Sequence, residues 1–175
     1  TVFGTLVAFA LNQMKRVKKT VLMSVTNIPM LNADIVTGIS MMLLYVAVDY
    51  TMGFSSVLIA HITFNLPYVV LSVLPKLKQM NKSVFEAALD LGASRQYAFV
   101  KVVFPDILPG ILTGFLLSFT MSLDDFIITH FTKGVGMDTL STKIYAEVRK
   151  GIKPEIYALS TILFAAIFIV LIVVN

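Results

Sequence analysis

The sequence predicts an all-α fold, a bundle of helices that crosses a membrane several times. Of its 175 residues, 57% are hydrophobic and 14% are charged, and the mean hydropathy is +0.87. Soluble domains are about half apolar and about a quarter charged. Apolar stretches near the roughly 20 residues of a spanning helix recur along the chain. Because backbone polar groups in lipid must be paired within their own segment, we expect these stretches to be helices.

Four stretches are long enough to span a bilayer, namely residues 28–48, 54–74, 107–128 and 156–174. A shorter apolar run, 2–11, is followed by basic residues, whereas a signal peptide carries its basic residues before the apolar run. We therefore expect this run to be the second half of a helix that begins upstream. The prediction is a single transmembrane domain, 1–175, with a truncated amino end.

The basic residues predict which side of the membrane each loop faces. Loops 15–19 and 75–106 hold nine of the fourteen Lys and Arg residues, so the positive-inside rule assigns both to the cytosol. Segments 49–53 and 129–155 then face outward, and the carboxy terminus lies inside. We therefore attribute the net charge of +4 to membrane orientation and expect no nucleic-acid partner. The sequence contains no cysteine, which excludes disulfides and Cys-based metal sites.

The long loop 75–106 predicts two short helices separated by a bend. Ser83 and Glu86 form a capping-box pattern at the start of the first helix, and Gly92 suits the left-handed turn that ends it. Ser94 is expected to cap the second helix, and Pro105 is expected to end it near the membrane.

The first of these helices has an apolar stripe at i, i+3 and i+4, formed by Phe85, Ala88 and Leu89. A short amphipathic helix held between two spans is suited to docking in a groove of a partner protein.

The same loop resembles the EAA loop of the permeases of ATP-binding-cassette (ABC) importers. It contains Glu86-Ala87-Ala88, three residues, Gly92, nine residues and then Val102-x-Phe104-Pro105. The family pattern ends in Ile-x-Leu-Pro, so this chain departs from it at two positions while keeping their apolar character. The resemblance implies that the first helix is a coupling helix seated in a cleft of a separate ATPase subunit. The coupling residues that it implies are Glu86, Ala87, Ala88, Leu89 and Gly92.

Three acidic residues lie inside predicted spans: Asp34 in 28–48, and Asp124 and Asp125 in 107–128. A carboxylate near the centre of a bilayer costs about 2.5–3.5 kcal/mol on insertion scales, so such residues usually face a water-filled cavity on a substrate route. The spans contain no Lys or Arg, which favours a cationic cargo. Alternatively, the adjacent pair is solvated at the outer interface, and Asp34 caps a helix that restarts after a break.

Aromatic residues near these acids are candidates for the walls of a cation site, because aromatic faces attract ammonium groups. They are Tyr45, Tyr50, Phe126 and Phe131. Ordinary packing or a place in the aromatic belt at the membrane interface is the favoured alternative. His61 and Asn65 lie one helical turn apart, and we expect them to be interhelical hydrogen-bond partners rather than ligands. Two histidines alone make no metal site, and none is expected.

The resemblance extends over essentially the whole chain to the polyamine branch of the importer family. In that branch it is most similar to the second permease subunit of spermidine/putrescine systems. The segments that carry this similarity are 32–36, 60–67, 117–125, 143–145 and 154–155. It implies a substrate pathway that includes Asp34, Ser122, Asp124 and Asp125.

The function implied by the resemblance is ATP-driven import of polyamines across the bacterial inner membrane, without catalytic residues or a cofactor in this chain. The sequence contains no Gly-rich phosphate-binding loop, so we expect a separate subunit to hydrolyse ATP. The implied partners are ATPase subunits, a sister permease subunit, an extracytoplasmic polyamine-binding protein and the lipid bilayer. Alternatives are an ABC permease for another solute, such as ferric iron or an anion, and an ion-coupled secondary carrier. An intramembrane enzyme has less support, since the paired acids have no accompanying motif.

Overall fold

The computed structural model describes residues 1–151 and 154–174, and every regular element within them is a helix. A π-helical turn, Phe99–Val103, joins the sixth and seventh α-helices. The α-helices in chain order are α1 Val2–Gln13, α2 Arg16–Leu31, α3 Asp34–Ala47, α4 Phe54–Gln79, α5 Lys82–Asp90, α6 Arg95–Ala98, α7 Phe104–Asp124, α8 Ile127–Thr132, α9 Leu140–Lys150 and α10 Pro154–Val174.

Among the described residues, two helices are long and apolar enough to cross a membrane. One is α4, with 26 residues, and the other is the 30-residue run Arg95–Asp124, which combines α6, the π-helical turn and α7. The pair formed by α2 and α3 makes a third candidate if it is counted as one broken span. The predicted all-α, multi-pass membrane fold is confirmed, although several boundaries differ from the prediction.

The predicted span 28–48 is not one helix, and the predicted loop 15–19 is not a loop. Helix α2 already begins at Arg16 and ends at Leu31. Asn32 has extended backbone (φ −86°, ψ 152°), and α3 begins at Asp34. Pro29, which has no N–H to donate, lies in the last turn of α2 and favours an end there. Hydropathy did not reveal the break because apolar segments, 28–31 and 35–36, lie on either side of it.

The loop between α4 and α7 has the predicted bend but different helix starts. Asn81 caps α5, since its Oδ1 accepts a hydrogen bond from the Ser83 N–H at 3.0 Å. The predicted capping box at Ser83 and Glu86 is therefore wrong. Gly92 has a φ of +89°, which confirms the left-handed turn. Ser94 caps α6 as predicted, since its hydroxyl accepts from the Tyr97 N–H at 3.2 Å.

Pro105 does not end a helix, contrary to the prediction. It lies in the first turn of α7, and the helix continues through it from α6. The preceding turn is π-helical, and the Phe104 N–H donates to the Phe99 carbonyl five residues back. Because this turn changes the hydrogen-bonding register, the helix accommodates a residue that lacks an N–H.

The residues cluster into two compact units. The first unit consists of Thr1–Ala33 and Ile62–Phe119, and the second consists of Asp34–His61 and Thr120–Asn175. The first unit has an apolar core of side chains from α1, α4 and α7. In it, α7 approaches α4 closely at Gly110, where an added Cβ would lie 2.8 Å from the Ser72 carbonyl oxygen. Glycine allows this approach, as small residues commonly do between membrane helices.

In the second unit, α3 packs against α8. The contact is close at Gly38, where an added Cβ would lie 3.3 Å from the Cα of Ile128. Ser56, in the first turn of α4, is fully buried, and its hydroxyl donates to the Thr132 carbonyl at 2.7 Å. The start of α4 is thereby joined to the end of α8, the helix that follows Asp124 and Asp125.

Candidate functional site

Asp125 lies just after the end of α7, and its carboxylate is held by the beginning of α8. Its side chain is 7% exposed. Oδ1 accepts from the Ile128 N–H at 3.1 Å, and Oδ2 accepts from both the N–H and the hydroxyl of Thr129, at 2.8 and 2.6 Å. The first N–H groups of a helix have no partner inside the helix, so a carboxylate at this position satisfies them. Asp125 therefore acts as the cap of α8.

A histidine on α4 completes this arrangement. His61 Nδ1 lies 2.7 Å from the Ser122 hydroxyl, and Nε2 lies 2.9 Å from the Thr129 hydroxyl and 3.4 Å from Asp125 Oδ2. Because Thr129 donates its hydroxyl proton to Asp125, its oxygen can accept from Nε2–H, which leaves Nδ1 to accept from Ser122. One neutral tautomer thus satisfies the chain from Ser122 to Asp125.

The prediction that His61 is an interhelical hydrogen-bond partner is confirmed, since it joins α4 to α7 and α8. Asn65 differs, because its buried amide oxygen has no hydrogen-bond partner in the described part of the chain. Among the described residues, no group of three His, Asp or Glu side chains could hold a metal ion.

Asp124, the last residue of α7, has different surroundings from Asp125. Its side chain is exposed, and within residues 1–151 and 154–174 it has no ion-pair partner. It lines a cavity of about 620 Å³ formed by α7, α9, α10 and neighbouring residues. Among the described residues, Asp124 is the one charged residue of that lining, which otherwise consists of Thr120, Leu123, Phe126, Leu140, Ser141, Ile144, Tyr145, Val148, Ser160, Leu163 and Ile167. A carboxylate in mainly apolar surroundings attracts a cation more strongly than it would in bulk water.

Two aromatic rings border this cavity. Phe126 and Tyr145 have ring centroids 4.2 Å apart, and both rings also line a smaller cavity of about 260 Å³. That smaller cavity contains His130, Phe131 and Arg149 as well. Phe126 thus borders both cavities, whereas Phe131 borders the one that contains Arg149.

Tyr45 and Tyr50, the other two aromatic candidates, lie away from the cavity that contains Asp124. Tyr45 is buried, its hydroxyl donates to the Ser56 carbonyl at 2.9 Å, and its ring packs 5.5 Å from that of Tyr50. Neither residue lines the cavity that contains Asp124. Their alternative role in ordinary packing fits these contacts.

Sequence reasoning missed Tyr145 as a possible site residue and noted it only as part of a resembling segment. The signal for it was weak, because α9 is short and its other residues are mostly polar or charged. Tyr145 is identified as a possible site residue because α9 lies beside the end of α7, where Tyr145 and Asp124 line the same cavity.

Asp34 is the first residue of α3, and its side chain is exposed. An acid in the first turn of a helix is stabilised by the positive end of the helix dipole. This position agrees with the alternative in which the helix restarts after a break, and it leaves the carboxylate accessible.

Electrostatic pairing outside the helices occurs between α8 and α9. Lys133 Nζ lies 2.6 Å from Asp138 Oδ1. The hydrogen bond from Lys133, together with its positive charge, lowers the pKa of the Asp138 carboxyl below its ordinary value. Lys133 is therefore already paired and does not neutralise Asp124.

The predicted coupling residues lie on α5 and the turn that follows. Glu86 and Ala87 are exposed, whereas Ala88 and Leu89 are half-buried like Phe85. Helix α5 packs against α6 and the π-helical turn, so the predicted apolar stripe is partly covered by this chain. The large apolar side chains that remain exposed on and next to α5 are Val84 and Leu91, the latter 90% exposed.

Comparison with known proteins gives a match over all 175 residues to the family described as "Binding-protein-dependent transport system inner membrane component". The chain is 37% identical over 163 residues to the spermidine/putrescine transport system permease protein PotC of Haemophilus influenzae. These matched residues are 93% of this chain and 63% of that protein. Its similarity to PotC of Escherichia coli K12 is also 37%, over 93% of this chain and 62% of that protein.

A further relative is the putrescine transport system permease protein PotI of Escherichia coli K12. It is 36% identical over 148 residues, which are 81% of this chain and 53% of that protein. The chain thus spans less than two thirds of the length of these curated relatives.

Proposed function

The chain belongs to the family of inner membrane components of binding-protein-dependent transport systems, and from this premise we propose that it is a permease subunit of an ATP-driven polyamine importer. The observation that carries the proposal is the 37% identity, over 93% of the chain, to permeases named for spermidine and putrescine transport. Its role in this proposal is transport rather than catalysis, and a separate ATPase subunit hydrolyses ATP.

The proposed substrate pathway consists of four residues with two kinds of role. Asp34 and Asp124 supply accessible carboxylates for ammonium groups. Ser122 and Asp125 support the end of α7 through their hydrogen bonds with His61 and the beginning of α8. This arrangement suits a cationic solute, because a carboxylate exposed to a cavity inside a membrane needs a counter-charge or water.

The proposed coupling element is α5 with its following turn. Glu86, Ala87, Ala88, Leu89 and Gly92 form this element, which lies between two candidate spans and presents exposed residues on a short helix. A short exposed helix docks in a partner's groove through a few side chains. The partner proposed here is the ATPase subunit, and a sister permease and a polyamine-binding protein complete the complex.

The transport cycle follows from energy coupling. The binding protein delivers polyamine to the outer side, and ATP-driven closure of the ATPase subunits moves α5 and the helices connected to it. Because coupling requires the two states of the permease to differ in their free energy of interaction with cargo, the acidic cavity must change its access or its contacts between them.

The proposal is tested by measuring uptake of labelled spermidine and putrescine into vesicles that contain the complete complex. We expect uptake to require both ATP and the binding protein and to be unaffected by collapse of ion gradients. Uptake driven by an ion gradient without ATP would instead establish the secondary carrier. Failure of an excess of spermidine and putrescine to compete with the transported solute would assign the complex to another cargo.

A further inference from the structure

The rings of Phe126 and Tyr145 separate two cavities of opposite charge in the second unit. Of the charged residues that the structure describes, Asp124 lines the cavity of about 620 Å³, and Arg149 lines the cavity of about 260 Å³. Both cavities are bordered by the same pair of rings. A cation next to these rings is therefore favoured in the larger cavity and repelled in the smaller one.

The larger cavity combines the three features that an alkylammonium group requires. Asp124 offers a carboxylate that is not engaged by any basic side chain of the described residues. The aromatic pair offers ring faces that attract positive charge. Aliphatic side chains such as Ile144, Val148 and Leu163 offer apolar contact for the methylene groups next to the nitrogen.

Asp125 is excluded from this role by its own hydrogen bonds. Its carboxylate already accepts from the Ile128 N–H and from both donor groups of Thr129, and His61 Nε2 lies 3.4 Å from its Oδ2. A ligand would have to displace a helix cap in order to bind there. The part of the cavity lining that the structure describes consequently offers one free carboxylate, which matches one ammonium group.

We infer that Asp124, Phe126 and Tyr145 form a subsite for a single ammonium group and its adjoining methylene chain, with Tyr145 as a substrate-binding residue. The inference rests on the proposed polyamine transport and extends it to a specific binding geometry. The remaining ammonium groups of a polyamine bind outside this cavity. The subsite recognises positive charge and aliphatic chain together, so it discriminates against neutral solutes of the same length.

The test uses the complete transporter in vesicles and measures the half-saturating concentration and maximal rate of spermidine and putrescine uptake. Tyr145→Phe keeps the aromatic face and is expected to leave the half-saturating concentration near that of the unmodified protein. Tyr145→Leu is expected to raise it about three- to thirtyfold, the range that corresponds to loss of a partly desolvated cation–π contact. Tyr157→Leu is the matched control, because Tyr157 is an exposed tyrosine outside the cavity lining.

A role of Tyr145 in packing alone is distinguished by replacing it with phenylalanines that carry one, two or three fluorine atoms. These residues keep the shape of the ring but weaken the attraction of its face for a cation. A half-saturating concentration that rises stepwise with fluorination supports the subsite. An unchanged value along the series, or in Tyr145→Leu, overturns it. Absence of polyamine uptake by the unmodified complex would instead overturn the proposed function itself.

Discussion

Asp124 and Asp125 are neighbours in the sequence, but their carboxylates have different surroundings. Successive residues of a helix point about 100° apart, so two adjacent acids at the end of α7 cannot share one environment. Asp125 faces α8 and His61, while Asp124 faces the large cavity. The residue that binds cargo and the residue that holds the structure are therefore separable by mutation.

Asp124→Asn is expected to lower polyamine uptake about tenfold or more, because removal of a charge from mainly apolar surroundings weakens cation binding by more than about 1 kcal/mol. The stability of the purified complex and its assembly with the ATPase should change little, since no hydrogen bond of the described residues depends on this carboxylate. Transport assays and thermal unfolding in detergent measure both effects. Unchanged uptake would remove Asp124 from the route.

Asp125→Asn is the counterpart of that variant and is expected to act on stability. One of the two acceptor oxygens would become an NH₂ group that faces an N–H donor of α8, which leaves that donor unsatisfied at a cost of about 1–3 kcal/mol. We expect a lower unfolding temperature together with reduced uptake. A variant of normal stability that has lost transport would show that Asp125 also contacts cargo.

At the scale of elements, α5 ends in a turn whose conformation is set by a single residue. Gly92 has a φ of +89°, and a Cβ there would meet nothing within 4 Å. A substitution at this position is therefore resisted by backbone conformation rather than by lack of space. The geometry of the turn after α5 depends on that one residue.

Gly92→Val is expected to strain the turn by roughly 1–3 kcal/mol and to change the direction of α5. ATP hydrolysis should continue while polyamine uptake falls, because the docking helix no longer transmits motion. Gly136→Val is the matched control, since Gly136 also has positive φ (+81°) and open space but lies between α8 and α9. The ratio of uptake to hydrolysis is the measurement, and an equal ratio in both variants would discredit the coupling role of α5.

At the scale of the whole molecule, the orientation in the membrane follows from charge. The positive-inside rule assigns loop 75–106 to the cytosol and segment 129–155 to the outside. Each loop contains an exposed apolar residue at which the side of the membrane can be tested by labelling, Leu91 in the first and Val135 in the second. Because the chain contains no cysteine, single cysteines can be introduced without removing native ones.

Val135→Cys is expected to react with a membrane-impermeant maleimide in intact cells, and Leu91→Cys only after permeabilisation. Cells that lack the ATPase subunit should be used so that docking does not cover Leu91, and the cysteine-free chain provides the background. Labelling of Leu91→Cys from outside would reverse the orientation and exclude α5 as a docking site for a cytosolic ATPase.

The amino-acid sequence by itself determined the class of the protein, its long helices, the Gly92 turn and the Ser94 cap. These features depend on composition, on apolar length and on the backbone preferences of single residues, all of which are local properties. Sequence reasoning offered the break before Asp34 only as an alternative, and it did not predict the cap at Asn81 or the π-helical turn before Pro105. Mainly apolar residues run on both sides of the break and through the π-helical turn, so hydropathy shows no change there. At the start of α5, Asn81 and Ser83 are both suited to cap the helix.

Only the tertiary structure decided which acid is free and which aromatic ring lies beside it. His61 and Thr129, whose side chains join near Asp125, are 68 positions apart in the chain, and Tyr145 reaches Phe126 from a separate helix. A carboxylate is available to cargo only if no other part of the chain donates to it, and those donors come from distant segments. The availability of a charge is thus a property of packing, whereas its presence is a property of the sequence.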